Sequence, residues 1–569
     1  MRIKKIIALV LGIGIMAAAL SAGAIFLVHQ FNREDDLSDF DELTPSYFLT
    51  NTSFFEDAFR EVDPSVGEYI NPDYEKFPLS GNSTNLQSHG TAVYENINGG
   101  TVMADAYYRV KGEALNDPNA GLGLLLYQAI QYKIAHPEEE MAICFTSYRV
   151  SPTAAVCVLP ESRYYGYMRS LYGNGNDYDE NGFVRIAFML VEAAKMGIDV
   201  TIVGQLNSYG VKQYNESGKL VTKGEASYKT YFQNGLTQSC YEKYALGKKV
   251  SDFMTFCPVA WDVDEKGGTD MMHLKALTTS HYLSTDGKEY ENAVFFSSSN
   301  MDAINYKGCN GNGGSQSGVI LTGHEKIYLS TVNYIRLMTQ YPGQEELYEF
   351  RNLFSERNNE QMDLILAGRD DEISDDERVL YLGSETDTIF KCYFTGLPSE
   401  YDAWDTVRNP VCEHVDNLYR STIDYPDEPI TFAYHCASFV PSSNVADTMM
   451  DMVDAAFLNS KNPENRLSIN AIDYKITNLK ALTVGETVGF KDLNNANWSI
   501  HSKDMHFSYI LNDKRQYVSL LTSCNFHMGA LYYQTNSFLT ITETDETGNE
   551  FYKIFGDAAT KGCIVYNAE

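Results

Sequence analysis

The chain has 569 residues, 44% of them hydrophobic, and a formal net charge of −32 at pH 7. This length allows two or three domains or one large duplicated one, and the apolar content is ordinary for a globular core. The acidic balance argues against a general nucleic-acid binder, because affinity for a polyanion needs a basic face. The acidic net charge does not exclude a local basic pocket.

The N-terminus predicts a membrane anchor. Residues 6–28 carry no charge, and a helix needs roughly 20 apolar residues to span a bilayer, more than the about 7–15 of a signal-peptide core. Basic residues within 1–5 precede the run and an acidic segment at 33–42 follows it. The positive-inside rule then predicts a cytoplasmic tail (1–5), a transmembrane anchor or uncleaved signal (6–28), and an extracellular or lumenal body. The small residues at 21–24 leave cleavage open.

An acidic stalk and connecting segment at 29–90 leads into a first α/β half, which we place at 91–342. Residues 141–150 are apolar and β-rich, as in a buried strand. Residues 184–197 have the apolar spacing of a helix and end at Gly197, and 198–204 predict another strand. A strand, a helix and a strand in this order indicate a parallel crossover.

A charged, helical linker at 343–376 separates this part from a second half, 377–569. The second half repeats the theme, with a strand predicted at 429–440, a helix at 445–460 and a strand at 466–476. The repetition predicts a duplicated α/β architecture.

Each half contains one copy of a polar motif. In each copy, a histidine and a lysine separated by one residue precede a predicted hairpin that closes on Ser-x-Asn; the residues are His273, Lys275, Ser298 and Asn300 in the first copy and His501, Lys503, Ser523 and Asn525 in the second. The turns fall at 286–287 and 512–513. Because residues i and i+2 of a strand share a face, the four side chains of a copy are expected to reach one spot.

With this pairing the sequence resembles the phospholipase D superfamily, whose hallmark is a duplicated His-x-Lys motif followed by Gly-Ser-x-Asn. The resemblance covers most of the chain from about residue 90. It implies an α/β fold of two pseudo-symmetric α-β-α halves that share one active site, here preceded by a single transmembrane helix.

The chain departs from the family pattern at equivalent places in both copies. The motif aspartate is replaced by serine, the motif glycine by serine or threonine, and the acidic residue that orients a histidine by an amide; the residues are Ser280 and Ser508, Ser297 and Thr522, and Gln316 and Asn536. An amide oxygen can still accept from an imidazole N–H, although it stabilises an imidazolium less than a carboxylate does. Gln316 and Asn536 are therefore candidate orienting residues.

The resemblance implies a phosphodiester reaction that needs no metal or other cofactor. By the family pattern His273 attacks phosphorus to form a phosphohistidine and His501 is the acid and base. Two lysines stabilise the charged oxygens and four smaller side chains bind the phosphate, namely Lys275, Lys503, Asn300, Asn525, Ser298 and Ser523. The sequence itself does not say which histidine attacks. It shows no metal-ligand cluster, and by parity we expect His506 to be structural.

These observations predict a membrane-anchored phosphodiesterase of phospholipase D type outside the cytoplasm, with phospholipid head groups as substrate. Residues 6–28 would hold it at the membrane, and stable nucleic-acid binding is not expected from the net charge. Two alternatives stay open: an exported single-strand nuclease of the same superfamily, and a catalytically impaired phosphate-binding or interaction protein.

Overall fold

Two mixed β-sheets with helices around them form the described part of the chain. The computed structural model describes residues 88–109, 118–148, 150, 155–157, 183–205, 211–214, 220–223, 227–259, 261, 271–284, 287–301, 316–343, 345–395, 404–436, 444–460, 462–471, 501–525 and 534–560. All of them belong to the compact unit Ser53–Glu569. The predicted anchor at 6–28 lies outside these residues. Among the residues that are described, no helix has both the length and the apolar character to cross a bilayer.

The strands in chain order are β1 (Gly90–Ile97), β2 (Gly100–Arg109), β3 (Ala142–Ser147), β4 (Ala155–Cys157), β5 (Phe183–Arg185), β6 (Asp199–Gln205), β7 (Val211–Tyr214), β8 (Leu220–Lys223), β9 (Met254–Val259), β10 (Met271–Met272), β11 (Ala276–Leu283), β12 (Glu289–Ser297), β13 (Gln316–Thr322), β14 (Phe390–Phe394), β15 (Thr431–Cys436), β16 (Arg466–Ala471), β17 (Lys503–Leu511), β18 (Lys514–Thr522), β19 (Gln534–Thr535) and β20 (Ser537–Thr544). The helices are α1 (Pro118–Ala135), α2 (Ile186–Lys195), α3 (Ser227–Leu236), α4 (Glu242–Ala245), α5 (Glu325–Gln340), α6 (Leu347–Leu366), α7 (Pro410–Asp424), α8 (Asn444–Asn459) and α9 (Glu550–Thr560).

The first sheet has the strand order β1-β2-β13-β12-β11-β3-β6-β9. β3 pairs with β6 and β6 with β9 in parallel, and the other neighbours are antiparallel. The predicted parallel crossover is confirmed, with α2 between β3 and β6. Gly197 has a φ of +78° and follows α2, the left-handed conformation in which glycine commonly ends a helix.

The second sheet has the strand order β14-β20-β18-β17-β15-β16. β15 and β16 pair in parallel on either side of α8 in the chain, and the remaining neighbours are antiparallel. The strands predicted at 429–440 and 466–476 and the helix predicted at 445–460 are confirmed as β15, β16 and α8. The chain therefore has a mixed α/β fold with two sheets.

Each sheet contains one of the predicted hairpins. β11 pairs with β12 and β17 pairs with β18, both antiparallel. The second hairpin turns at Asn512 and Asp513, whose φ values are +51° and +62°. Two positive φ angles in a two-residue loop define a turn whose twist matches that of the strands, and asparagine and aspartate adopt it at low cost.

An apolar core continues from one sheet to the other. Tyr334 of α5 stacks on Phe394 of β14 with ring centroids 4.3 Å apart, and Phe296 of β12 lies 6.4 Å from the same phenylalanine. The Tyr334 hydroxyl donates a hydrogen bond of 2.6 Å to the carbonyl oxygen of Thr395, which directly follows β14. Burial of these rings fixes the distance between the ends of the two hairpins, where the motifs lie.

Candidate active site

Apart from Lys503, the motif residues flank the hairpin strands. His273 and Lys275 precede β11, His501 precedes β17, and Lys503 is the first residue of β17. The Ser-x-Asn segments follow β12 and β18. The second histidine and lysine lie close together as expected, with the Lys503 ammonium 3.5 Å from His501 Nδ1. Their positions are set by contacts at the strand ends.

Short backbone contacts bring the first motif to the second half of the chain. β10, just before His273, pairs in parallel with β19. The His273 N–H then donates to the carbonyl oxygen of Thr535 at 3.1 Å. On the other side, the Lys503 N–H donates to the hydroxyl oxygen of Ser317 in β13 at 3.2 Å. Each His-x-Lys segment is thus held by a residue from the other half.

The first histidine is oriented by an amide of the second half. His273 Nδ1 lies 2.9 Å from Asn536 Oδ1. The Ser523 hydroxyl donates to the same oxygen at 3.1 Å, and Ser523 Oγ accepts from the Ser537 N–H at 3.2 Å. Because that backbone N–H occupies the serine oxygen, the hydroxyl hydrogen is directed at the amide oxygen. Asn536 therefore presents its oxygen to the imidazole.

The second histidine is oriented in the same way by the first half. His501 Nδ1 lies 3.0 Å from Gln316 Oε1, and the Ser298 hydroxyl donates to that oxygen at 2.8 Å. Ser298 Oγ accepts from the Ser317 N–H at 2.9 Å. Ser298 and Ser523 thus hold the orienting amides, a position different from the predicted direct contact with phosphate.

These contacts define the tautomer of both imidazoles. An amide oxygen only accepts, so Nδ1 of each histidine carries the hydrogen. In the neutral ring Nε2 then carries the lone pair that can attack phosphorus or take a proton. The two predicted orienting residues, Gln316 and Asn536, lie where that role requires.

Both lysines are anchored to the backbone of their own histidine. The Lys275 ammonium donates to the His273 carbonyl at 2.7 Å, and the Lys503 ammonium donates to the His501 carbonyl at 3.0 Å. Both side chains are buried. Burial lowers the pKa of Lys503 to about 8.

Burial and charged groups from both halves of the chain lower the pKa of the His273 imidazole. Burial lowers the pKa of His273 well below its usual value, and the positive charges of Lys275 and Lys503 lower it further. His501 acts in the same direction, whereas the hydrogen bond to Asn536 raises the pKa. An imidazole in this setting is neutral, as a nucleophile has to be.

The two motif asparagines hold unpaired polar groups. Asn300 and Asn525 lie three residues after the ends of β12 and β18, and within the described ranges the side-chain oxygen of each is buried without a hydrogen-bond partner. The Asn300 backbone is fixed, because its carbonyl oxygen accepts from Asn119 at 3.3 Å. A buried amide oxygen without a hydrogen-bond partner is costly, and a ligand could satisfy it.

The residues that replace the family's glycine and aspartate have local structural contacts. Ser297 Oγ accepts from the N–H of Ser299 at 2.8 Å, and Thr522 Oγ1 accepts from the N–H of Cys524 at 2.9 Å. Both hydroxyls thus close the same kind of turn before the asparagine. Ser280 Oγ accepts from the N–H of Ala142 at 3.0 Å and ties β11 to β3.

One aromatic residue at the site was not predicted. The ring of Tyr148 lies 5.4 Å from that of His273, and the Lys275 ammonium lies 5.8 Å from its centroid. Tyr148 directly follows β3, and ligand sites of α/β proteins lie beyond the carboxyl ends of parallel strands. The position of Tyr148 directly after a predicted strand was the feature of the sequence that could have indicated its place in the site.

The structure also corrects the expectation that no metal-ligand cluster exists. His435, Asp504 and His506 place their donor atoms within 4.8 Å of one another. Spacing could not show this, because His435 meets Asp504 only through the pairing of β15 with β17. As parity predicted, Asp504 and His506 are on the face of β17 opposite to Lys503.

A scan of protein-family models and a search of the curated proteins give no match. Among solved structures, phosphatidylserine synthase from Haemophilus influenzae matches at 12% identity and a TM-score of 0.41, over 81% of this chain and 87% of that chain. Polyphosphate kinase from Porphyromonas gingivalis matches at 9% identity and 0.38, over 80% of this chain and 47% of the kinase. The chain thus spans about half of the length of the kinase.

A third match is Nuc from Salmonella typhimurium, a phospholipase D family member, at 13% identity and a TM-score of 0.20, over 32% of this chain and 98% of Nuc. With TM-scores of 0.20 to 0.41, these matches carry no argument about reaction or substrate. Those questions rest on the site itself.

Proposed function

We propose that this chain is a membrane-anchored phosphodiesterase of phospholipase D type that acts outside the cytoplasm on phospholipid head groups. The observation that supports the proposal is the crossed pair of contacts, His273 with Asn536 and His501 with Gln316, beside two buried lysines. In this proposal the two sheets are halves related by an approximate two-fold axis, and the site is their shared junction.

In the first step, Nε2 of His273 attacks phosphorus. The P–N bond forms while the P–O bond to the leaving alcohol breaks, and the leaving oxygen takes a proton from Nε2 of the His501 imidazolium. The assignment of His273 as nucleophile agrees with its lowered pKa, which keeps the ring neutral. Lys275 and Lys503 stabilise the charge on the non-bridging oxygens.

In the second step, His501 is neutral and takes a proton from water. The water oxygen bonds to phosphorus, the P–N bond breaks, and both histidines return to their starting states. No step needs a metal ion. The buried amides of Asn300 and Asn525 can rotate to donate N–H groups to the phosphate oxygens.

Phospholipid is proposed as the substrate because of the N-terminal segment. Residues 6–28 would hold the site next to a bilayer on its non-cytoplasmic side, so a lipid substrate would be present at high local concentration. The net charge of −32 disfavours a nucleic-acid substrate, although a single-strand nuclease uses the same chemistry.

The test uses the full-length chain and three substrates: phospholipid vesicles, single-stranded oligonucleotides and a bis-aryl phosphodiester. We expect head-group release without added divalent cations, lost in His273→Ala and kept in His281→Ala, a control histidine of β11 whose side chain is 21% exposed. Cleavage of the oligonucleotide but not the lipid would make the protein a nuclease. A folded wild-type chain that turns over none of the three overturns the enzyme proposal and leaves a phosphate-binding protein.

A further inference from the structure

A buried cluster of two histidines and a carboxylate lies on the second sheet, on the face opposite to Lys503. His435 of β15 is paired with Asp504 of β17, and His506 is two residues further along β17. His435 Nδ1 lies 2.6 Å and His506 Nε2 3.1 Å from the same oxygen, Asp504 Oδ2. The three side chains are 2% exposed or less. None of them takes part in the proposed reaction.

An unpaired oxygen in this cluster indicates a missing partner. Asp504 Oδ1 is buried and has no hydrogen-bond partner among the described residues. The other ring nitrogen of His506, Nδ1, lies 3.3 Å from the hydroxyl oxygen of Ser519. When Nδ1 donates its hydrogen to that oxygen, Nε2 has a lone pair that can bind a cation beside the carboxylate.

We propose that His435, Asp504 and His506 bind a zinc ion. The donors are Nδ1 of His435, Nε2 of His506 and the carboxylate of Asp504, whose unpaired Oδ1 gains a partner. Zinc binds imidazole and carboxylate ligands at about 2.0–2.2 Å, and a carboxylate that binds through both oxygens completes a distorted tetrahedral arrangement. The donor atoms already lie within 4.8 Å of one another, so small rotations suffice. Calcium and magnesium fit less well, because they prefer oxygen ligands alone.

The surroundings make this a closed, structural site. The ring of His506 lies 5.1 Å from that of Phe555 in α9, and the ring of His435 lies 6.1 Å from that of Tyr108 in β2. The ion would therefore lie beneath the last helix, where a strand of the first sheet meets the second sheet. Because Asp504 directly follows Lys503, the ion would also fix the start of the strand that presents this lysine to the site.

The hairpin of the first sheet lacks these ligands, which supplies an internal control. Ala276 and Thr278 follow Lys275 as Asp504 and His506 follow Lys503, and Thr146 pairs with Ala276 as His435 pairs with Asp504. Alanine and threonine are not zinc ligands. The equivalent hairpin therefore offers no such set of ligands, and the proposed zinc site is specific to the second hairpin.

The test measures zinc in the full-length chain by elemental analysis, after purification without added metal and again after incubation with zinc chloride and dialysis. We expect one zinc per chain in the wild type, with a rise in melting temperature on zinc addition. Asp504→Asn keeps the size of the side chain, and we expect it to bind at least about tenfold more weakly. The matched control is His414→Gln, a buried histidine of α7 outside the cluster, which should retain the ion.

Replacement of zinc by cobalt supplies a second measurement on the wild type, so the proposal does not depend on the folding of a variant. Tetrahedral cobalt gives intense visible bands, and we expect them in the wild type and in His414→Gln but not in Asp504→Asn. The proposal is overturned if the folded wild type takes up no zinc and shows no thermal shift. It is equally overturned if Asp504→Asn binds zinc as tightly as the wild type. Either result would make the cluster a hydrogen-bonded ion pair.

Discussion

The two half-sites have the same contacts but different surroundings. In each, a serine hydroxyl holds an amide oxygen against Nδ1 of a histidine, and the lysine donates to the carbonyl of its own histidine. The His273 half has an aromatic neighbour, Tyr148, whereas the second half has the carboxylate of Asp504 directly after its lysine.

The orienting amides also differ. Asn536 is shorter than Gln316 and is fixed to Thr395 through both its backbone N–H and its carbonyl oxygen, each at 2.9 Å. Gln316 is the first residue of β13, and its longer side chain has an additional rotatable bond. In the proposed mechanism, similar hydrogen bonds thus serve two different roles: one orients a neutral imidazole that attacks, and the other orients an imidazole that must gain and lose a proton.

The largest expected effect separates the two histidines. His273→Ala and His501→Ala should each lower kcat by between about a hundred and ten thousand fold, because each removes a group that acts in the transition state. With an activated bis-aryl substrate, whose leaving group needs no proton, His501→Ala should still form a phosphoenzyme, which a rapid quench in denaturant at alkaline pH can trap because the P–N bond is labile in acid. If His273→Ala forms it and His501→Ala does not, the roles are reversed.

Loss of either lysine should have a smaller effect. Lys275→Met and Lys503→Met each remove one charge from the phosphate oxygens, and we expect a fall of about 10²–10³ in kcat/KM. Steady-state kinetics with the bis-aryl diester measure this directly. Equal losses would indicate that the phosphate lies symmetrically between the halves, whereas retention of full activity by one variant would exclude that lysine from the site.

The serines should matter less, because they act through the amides. Ser298→Ala and Ser523→Ala leave Gln316 or Asn536 without the hydroxyl that fixes its oxygen, and we expect a loss of about tenfold in kcat. Ser298→Thr, which keeps the hydroxyl, is the matched control and should recover most of the activity. A large change in KM with kcat unchanged would instead support the originally predicted direct contact with phosphate.

The smallest effect on rate is expected when an amide is replaced by an acid. Asn536→Asp places a carboxylate at Nδ1 of His273 and raises the pKa of that histidine. Because His273 attacks in its neutral form, the acid limb of the pH profile should move to a higher pH by about one unit. Gln316→Glu raises the pKa of His501. Because His501 acts in its protonated form, the alkaline limb of the pH profile should move to a higher pH. Profiles of kcat/KM against pH measure both limbs. A shift of the same limb in both variants would contradict the assignment of different roles.

Much of the fold follows from local patterns. The strands β3, β6, β15 and β16 and the helices α2 and α8 were predicted within a few residues, because buried strands and amphipathic helices have distinct apolar periods. Both hairpins were predicted from the polar turn between apolar runs. The repetition of the motif, rather than any single residue, drew attention to His273 and His501.

Other features depended on contacts between distant segments. The sequence assigned Ser298 and Ser523 to the phosphate, and the structure shows that the hydroxyl of each donates to an orienting amide, Gln316 or Asn536. The sequence placed each His-x-Lys in a strand, but of these four residues only Lys503 lies in one, and contacts with the opposite half hold both segments. Tyr148 was not predicted because a tyrosine after a strand is common. Its role depends on which residues it contacts in the folded chain.

By itself, the sequence determined the types of residue available for phosphate chemistry, their duplication, and the secondary structure that carries them, because these depend on composition and on periods of a few residues. The tertiary structure alone decided that each histidine is oriented by the other half, and that His435 meets Asp504 and His506. Those contacts depend on strand register and on the packing of two sheets, in which a shift of one residue turns every side chain to the opposite face.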